Sequence, residues 1–478
     1  MNLSLAQALR VNSSPCVAFI GSGGKTTAMI QLARTLSKDE GTSPVIVTAT
    51  SHLGVWQLGL ADRHIIANRP DPIEKLEHGL KGVILITGEI EGDRTKPINH
   101  NLMNWLQQFC GYHSIPLLIE ADGSRGKPLK AWAEHEPPIP EFVEFVVHVI
   151  GLTGLGKSLN DENVHRPEIF SRLSGLGLGE SITKDSLVRT LKHSESALKD
   201  IPARSRKIVL LNQADTHELQ SAAQGMAQTL METYDSVIIS SLMQEKIFAV
   251  HEAVAGIILA AGESKRFGEP KQLLDWKGQP FVRAVAKTAL EVGLSPVVVV
   301  TGANAEHVEP AVKDLNVIII KNEEWKSGQG SSIKAGIRAL LQPTPSLPQI
   351  RQQISSVYKK YSHAVFGGGA QGAEGVGGAI FLLTDQPQVT TSIIRALVEK
   401  HAEGLYPIVA PMVMDHRANP VLFDRATFSD LMTLEGDVGG RAIFHKHRVE
   451  YLPWHDDRLL LDVDTPEMYQ RLISDETL

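Results

Sequence analysis

The chain is predicted to fold as two doubly wound α/β units in tandem, each a parallel sheet with helices on both faces. Three observations predict this. Short apolar runs recur at the spacing of strand–helix–strand repeats. The loops after those runs concentrate glycine, lysine and carboxylates, and open α/β sheets gather their ligand loops at the carboxyl ends of strands. The rhythm also halts near 242–254 and restarts at Gly256, which divides the runs between domains at 1–245 and 254–478. A length of 478 residues accommodates two or three domains.

Composition removes several functions. With 42% hydrophobic and 21% charged residues the chain is ordinary for a globular protein. A net charge of −7 argues against a general nucleic-acid surface, so any phosphate-binding charge must be local. Two cysteines, Cys16 and Cys110, are too few for a disulfide framework or a zinc site. The first residues lack a basic stretch followed by a long apolar core, and no segment is long and apolar enough to span a bilayer. The expectation is a cytoplasmic protein with no membrane partner.

Residues 3–10 read as a short helix and 16–20 as a strand. The strand runs into Gly21-Ser-Gly-Gly-Lys-Thr-Thr27, and a helical pattern follows through Met29, Leu32, Ala33 and Leu36. Strand, glycine loop and helix is the layout of a phosphate-binding loop. Gly21, Gly23 and Gly24 let backbone N–H groups approach an anion at the helix N-terminus. Lys25 would reach the terminal phosphates of ATP or GTP, and Thr26, followed by Thr27, would ligate Mg²⁺. The first glycine of the usual pattern falls at Phe19, so the loop is incomplete; a tight turn without ligand is the competing reading.

Strands follow at 45–48, 83–87, 117–120, 146–150 and 208–211. The fourth of the chain's strands ends in Glu120 and Asp122, as a Mg²⁺- or water-organising strand would; a cap or an Asp-Gly turn explains it equally. Arg125, Lys127 and Lys130 add a basic cluster beside it. Asn212-Gln-Ala-Asp215 is similar to the guanine-reading string of GTPases, although Asp215 with Glu218 also makes a capping box.

The second half opens on an apolar run, 257–261, that ends in Gly262. Ser264, Arg266, Gly268 and Lys271 are then spaced through one loop, a composition suited to a triphosphate. Further strands are predicted at 297–301, 317–320, 379–384 and 407–411, with β-rich segments near 420 and 449–452 and helices at 280–293, 330–341 and 391–402. Residues 342–378 break the rhythm with proline-rich, polar and glycine-rich sequence, which reads as a mobile insertion. Asp385 follows a buried run and precedes a Gln-Pro turn, where it would ligate Mg²⁺ or cap a helix. Asp462 and Asp464, two apart, would share one strand face, and either could complete the metal site.

Leu259-Ala-Ala-Gly-x-Ser-x-Arg-x-Gly-x-x-Lys271, Asp385-Gln-Pro and Asp462-Val-Asp464-Thr-Pro-Glu together resemble the nucleotidyltransferases of the molybdenum-cofactor type, over roughly 256–470. The resemblance implies a Rossmann-like, nucleotidyltransferase-like fold. It also implies catalytic Arg266, Lys271 and Asp385, with Mg²⁺ on Asp385 and on Asp462 or Asp464. Leu259, Ala260, Ala261, Gly262, Ser264 and Gly268 would hold the nucleotide, with Thr301, Gly302, Asn322, Gly330 and Ser331 framing base and ribose. Asn419-Pro-Val-Leu-Phe and Leu434-Glu-Gly-Asp-Val-Gly-Gly-Arg441 resemble strings of the pterin-side pocket. Alanine at 261 looks like the cytidylyltransferase branch, where the guanylyltransferase branch has glycine. A methyl beside the base narrows the slot by about 1–3 kcal/mol of discrimination. The implied substrates are CTP and Mo-molybdopterin.

In the first half, Gly21-Ser-Gly-Gly-Lys-Thr-Thr, Glu120-Ala-Asp-Gly-Ser-Arg-Gly-Lys-Pro-Leu-Lys130, Glu134-His-Glu-Pro and Val164-His-Arg-Pro-Glu168 resemble the YqeC family, over about 10–245. That family implies an accessory role toward selenium-dependent molybdenum hydroxylases, and hence a hydroxylase client. The expectation for the chain is therefore a fusion of a YqeC-like domain with a molybdenum cofactor cytidylyltransferase. The alternatives are a sugar- or alcohol-phosphate nucleotidyltransferase and a non-catalytic carrier of the mature cofactor.

Overall fold

The structure, a computed structural model, describes residues 3–38, 43–74, 80–264, 267–341 and 375–474. These fall into two compact units, one up to His251 and one from Glu252 onward. Both are doubly wound α/β units.

The first unit carries a nine-stranded sheet. In chain order its strands are β1 Cys16–Gly21, β2 Val45–Ala49, β3 Arg63–Ile66, β4 Val83–Thr87, β5 Leu117–Glu120, β6 Phe145–Gly151, β7 Arg206–Asn212, β8 Ser236–Ser241 and β9 Lys246–Glu252. Across the sheet they lie in the order β9-β8-β7-β6-β1-β5-β2-β4-β3. The pairs from β8 through to β3 are parallel. Parallel strands need crossovers that cover both faces, which is why β1 and β2 read as unbroken apolar runs. On one face Ala18 and Ile20 of β1, Ile46 of β2 and Ile84 of β4 pack against Leu102 and Leu106 of the helix His100–His113. Further across the same face, Val209 and Leu211 of β7 pack against Met226 and Leu230 of the helix His217–Leu230. Strand β1 lies between β6 and β5, so the loop after it is flanked by the ends of both.

Three of these strands were not legible as apolar runs. β3 is a half-exposed edge strand that begins Arg-His, and serines flank the buried centre of β8. β9 lies beyond 245, so a first domain ending there would lack the edge strand of its own sheet.

The second unit carries an eight-stranded sheet. Its strands are β10 Val254–Ala260, β11 Val297–Thr301, β12 Ile318–Lys321, β13 Gly378–Leu383, β14 Ile408–Val413, β15 His416–Arg417, β16 Val421–Asp424 and β17 Val449–Pro453. The order is β12-β11-β10-β13-β16-β14-β15, with β17 on β14. β10 is central and parallel to both neighbours, β11 and β13. The expected wholly parallel sheet is corrected at β16, which runs antiparallel to β13 and β14. The cause is local. Met414 and Asp415 take φ +46° and +63°, a two-residue reversal that sends the chain straight back as a hairpin.

Residues 342–374 of the predicted insertion lie outside the described residues. Its predicted end is too late, since Val376 is buried and Gly378 already opens β13. No described helix is long and apolar enough to cross a membrane.

Candidate functional site

In the first unit the loop after β1 turns on three glycines with φ of +94° (Gly21), +76° (Gly23) and +127° (Gly24). Side chains are excluded there by sterics as well as by φ. A Cβ on Gly23 would lie 2.3 Å from Gly151 Cα, and one on Gly24 would lie 2.4 Å from Asn212 Nδ2. The helix Lys25–Lys38 starts directly after, leaving its first N–H groups without intrahelical partners.

Lys25 and Asp122 are both buried and pair at 3.3 Å (Nζ to Oδ1), and Lys25 also donates to Gly21 O at 2.7 Å. Asp122 accepts from Gly21 N–H at 3.1–3.2 Å and from Trp132 Nε1 at 2.7 Å. It is therefore neither cap nor turn, but the group that fixes the loop. The Thr26 hydroxyl donates to Glu120 Oε2 at 2.9 Å. Burial raises the pKa of Glu120 against the opposing pull of Lys25 and Thr26. Behind this set Lys130 reaches Asp122 at 3.1 Å and Glu136 at 2.9 Å. Arg166 grips Glu136 with both nitrogens, at 2.5 and 3.0 Å. Burial pushes Glu136 up, but Arg166 and Lys130 outweigh it and hold its pKa at about 2. Lys130 is thus buried in an ion-pair network, while Arg125 stays exposed.

The guanine-reader expectation is corrected. Asn212 donates to Gly23 O at 2.8 Å and accepts from Leu242 N–H at 3.0 Å and from Ser240 Oγ at 3.3 Å, so its amide is spent on tethering the loop. Asp215 accepts from Ser241 Oγ at 2.5 Å, and the following helix is capped by Thr216, not Asp215.

In the second unit the loop after β10 is pinned from within. Ser264, at φ +58°, accepts the Lys271 N–H at 3.0 Å, and its carbonyl takes the N–H groups of Phe267 and Gly268. Gln272, which the sequence reading passed over, donates to Gly262 O at 2.7 Å and Ala260 O at 3.3 Å. The fold thereby aims Lys271 at two carboxylates from distant segments: Asp385 Oδ2 at 3.2 Å and Asp464 Oδ1 at 2.7 Å. Burial works against the Lys271 charge, yet the two aspartates outweigh it and raise its pKa. Asp385 Oδ1 is buried and has no partner among the described residues, an orphaned acceptor that fits a divalent cation. No described cluster holds three or more potential metal ligands. Arg266 lies outside the described residues.

Asp462 and Asp464 do not share a strand face; the segment is irregular and gives the two side chains different partners. Asp464 meets Lys271, whereas Asp462 accepts from Gln386 Nε2 at 2.6 Å. Desolvation, then the charges of Asp385 and Asp464, raise the pKa of Asp462. Asp385 does not cap the next helix, whose N-cap is Thr390.

Leu259 lines a cleft of about 260 Å³ at the carboxyl ends of the central strands, walled by Phe381 and Phe423 and edged by Asn419 and Arg441. Ala261 is buried against Gly302, whose Cβ, if present, would lie 2.7 Å from the Ala261 methyl. Thr301 is wholly buried and donates to Glu309 Oε1 at 3.0 Å. The Asn322 amide donates to the hydroxyls of Ser331 and Ser332 at 2.8 and 3.0 Å, a buried knot that ties β12 to the helix Gln329–Leu341. Gly330 N–H donates to Gly436 O. Gly268, at φ +87°, has open space around its Cα.

Comparison with known proteins accounts for both halves. The family model described as YqeC protein matches residues 17–168. "Uncharacterized protein YqeC" of Escherichia coli (strain K12) is 30% identical over 223 residues, which cover 45% of this chain and 82% of that protein. The chain belongs to the YqeC family. To this YqeC-like half it joins a second domain, since the model described as MobA-like NTP transferase domain matches residues 256–451. Nicotine blue oxidoreductase of Paenarthrobacter nicotinovorans is 28% identical over 229 residues, 46% of this chain and 96% of that protein. A "Probable molybdenum cofactor guanylyltransferase" of Bacillus cytotoxicus is 34% identical over 79 residues, 16% of this chain and 38% of that protein. The glycine loop 21–27 and Glu120/Asp122 fall within the YqeC match, and Lys271 and Asp385 within the MobA-like match. Asp464 lies beyond the latter, and Gln57 inside the former carried no signal in the sequence.

Proposed function

We propose that the MobA-like domain transfers CMP from CTP to Mo-molybdopterin, giving molybdopterin cytosine dinucleotide and pyrophosphate. The observation that supports this best is the convergence of Ser264, Lys271, Asp385 and Asp464 at the end of the glycine loop. The terminal phosphate oxygen of the pterin attacks the α-phosphorus of CTP; the new P–O bond forms as the bond to the leaving pyrophosphate breaks. The protein contributes position and charge rather than a covalent intermediate. Lys271, kept cationic by its aspartates, is available with Arg266 to meet charge on the leaving pyrophosphate. Asp385, with Asp462 or Asp464, would hold Mg²⁺, which offsets triphosphate charge when bound. The cleft edged by Asn419 and Arg441 would take the acceptor.

The YqeC-like half is read as an accessory domain that binds ATP or GTP with Mg²⁺ and serves maturation of a molybdenum hydroxylase client, in the cytoplasm. Buried Lys25, the positive-φ glycines and the Thr26–Glu120 pair support that reading. The direct test is incubation of the full chain with Mo-molybdopterin and each nucleoside triphosphate, following pyrophosphate release and dinucleotide products. Cytosine dinucleotide is expected. Guanine dinucleotide would overturn the base assignment, and activity only on sugar phosphates would overturn the acceptor.

A further inference from the structure

Gln57 belongs to the 3-10 turn Val55–Leu60, is 7% exposed, and makes two bonds with its amide. Oε1 accepts the Gly54 N–H at 2.7 Å, and Nε2 donates to Thr26 Oγ1 at 2.7 Å. The orientation of the amide is forced, because a backbone N–H can only donate and must face the carbonyl oxygen. Nε2 therefore takes one lone pair of the Thr26 hydroxyl. The hydroxyl proton is already committed to Glu120 Oε2. A hydroxyl has one proton and two lone pairs, so a single lone pair remains and its direction is set.

The strap that carries Gln57 is anchored to the same site. Thr50 N–H donates to Glu120 O at 3.0 Å, and Leu53 pairs with Thr95 in a small three-stranded sheet. The hydroxyl oxygens of Thr50, Ser51 and Thr95 are buried and have no partner among the described residues. Unmet polar atoms of this kind ordinarily face water or a polar ligand. Trp56, next to Gln57, is 73% exposed, and its indole lies on Gly54 so closely that a Cβ there would fall 2.5 Å from Nε1.

We propose that Gln57 is a positioning residue of the N-terminal phosphate loop: it aims the remaining lone pair of Thr26 at a divalent cation carried by a nucleoside triphosphate, and its strap passes occupancy on to Trp56. This rests on the nucleotide reading of the YqeC-like half. A cation arriving beside Thr26 takes the remaining lone pair while the Gln57 amide keeps the other, and the tightened contact reaches the indole through Gly54.

The test uses the full chain, with ATP and GTP each titrated calorimetrically in Mg²⁺ and in EDTA. Gln57→Met, of similar volume but without the amide, should weaken Mg²⁺-nucleotide binding about tenfold or more and leave affinity in EDTA unchanged. A merely structural role would lower both equally, and that result overturns the proposal. Emission of the wild type minus that of Trp56→Phe should shift with Mg²⁺-nucleotide, but not with nucleotide in EDTA or Mg²⁺ alone. An unmoved Trp56 signal in a protein that binds nucleotide overturns it too, even where Gln57→Met fails to melt cooperatively. A wild type that binds neither nucleotide removes the nucleotide reading itself, and the proposal with it.

Discussion

Lys271 and Asp464 lie 193 residues apart in sequence and meet at 2.7 Å. The same ammonium reaches Asp385, so one cation holds two carboxylates that would otherwise repel. A triphosphate with its divalent cation fits this arrangement by exchange: cation for ammonium at the aspartates, phosphate for carboxylate at the lysine. The resting ion pairs hold the lysine and the two aspartates close.

Asp385→Asn removes the carboxylate whose Oδ1 has no partner among the described residues, while its backbone carbonyl still accepts the Val463 N–H. Nucleotidyl transfer is expected to fall about 10²-fold or more with the melting temperature little changed. Pyrophosphate release at saturating Mg²⁺ measures it, and near-normal turnover would remove Asp385 from the metal site.

Ala261→Gly should relax the choice of CTP over GTP. The methyl packs against Gly302, so its loss opens space at the junction of β10 and β11. A change of this size is worth about 1–3 kcal/mol in the ratio of kcat/KM values for the two nucleotides. An unchanged ratio means that Ala261 does not read the base.

Asn212→Ala is expected to destabilise the YqeC-like half by about 2 kcal/mol, because it frees the Gly23 carbonyl and strands the Leu242 N–H. The ATP-to-GTP affinity ratio should stay constant. A selective loss of GTP binding would restore Asn212 as a guanine reader.

Glu136→Gln tests the ion-pair network behind the glycine loop that follows β1. The Glu136 pKa is held at about 2, below its ordinary 4.5. A depressed carboxylate stabilises the fold above the unfolded value and loses that contribution as pH falls toward the folded one. Urea melts should show the variant about 2 kcal/mol less stable at pH 7, with the gap closing between pH 4.5 and 2. A gap that persists at the acid end would locate the loss in packing.

The central strands of both sheets, the two glycine loops and the aspartate after β13 were legible, because each couples an apolar run to a loop of restricted composition. Partnership was not. Nothing in the spacing shows that Asp464 rather than Asp462 meets Lys271, since the segment is irregular and two-residue periodicity does not apply. Asn212 looks like a base reader by string alone; only the fold shows its three hydrogen-bonding partners. Gln57 and Gln272 escaped because a glutamine in a turn has no pattern until its neighbours are known. The antiparallel β16 escaped because Met414-Asp415 lacks the glycine or asparagine that usually marks a hairpin.

The position of these contacts along the chain also sets a timetable. Polypeptides emerge from the ribosome N-terminus first, and domains fold as units while synthesis continues. The ion-pair partners of Lys25 lie between Gly21 and Trp132, and the last tether of the loop, Asn212 with Leu242, is still within the first unit. Lys271 by contrast waits through almost the whole of its domain for Asp464, the later of its two aspartates. The glycine loop after β1 can therefore mature once the first unit is made, whereas the Lys271 cluster closes only as translation nears its end.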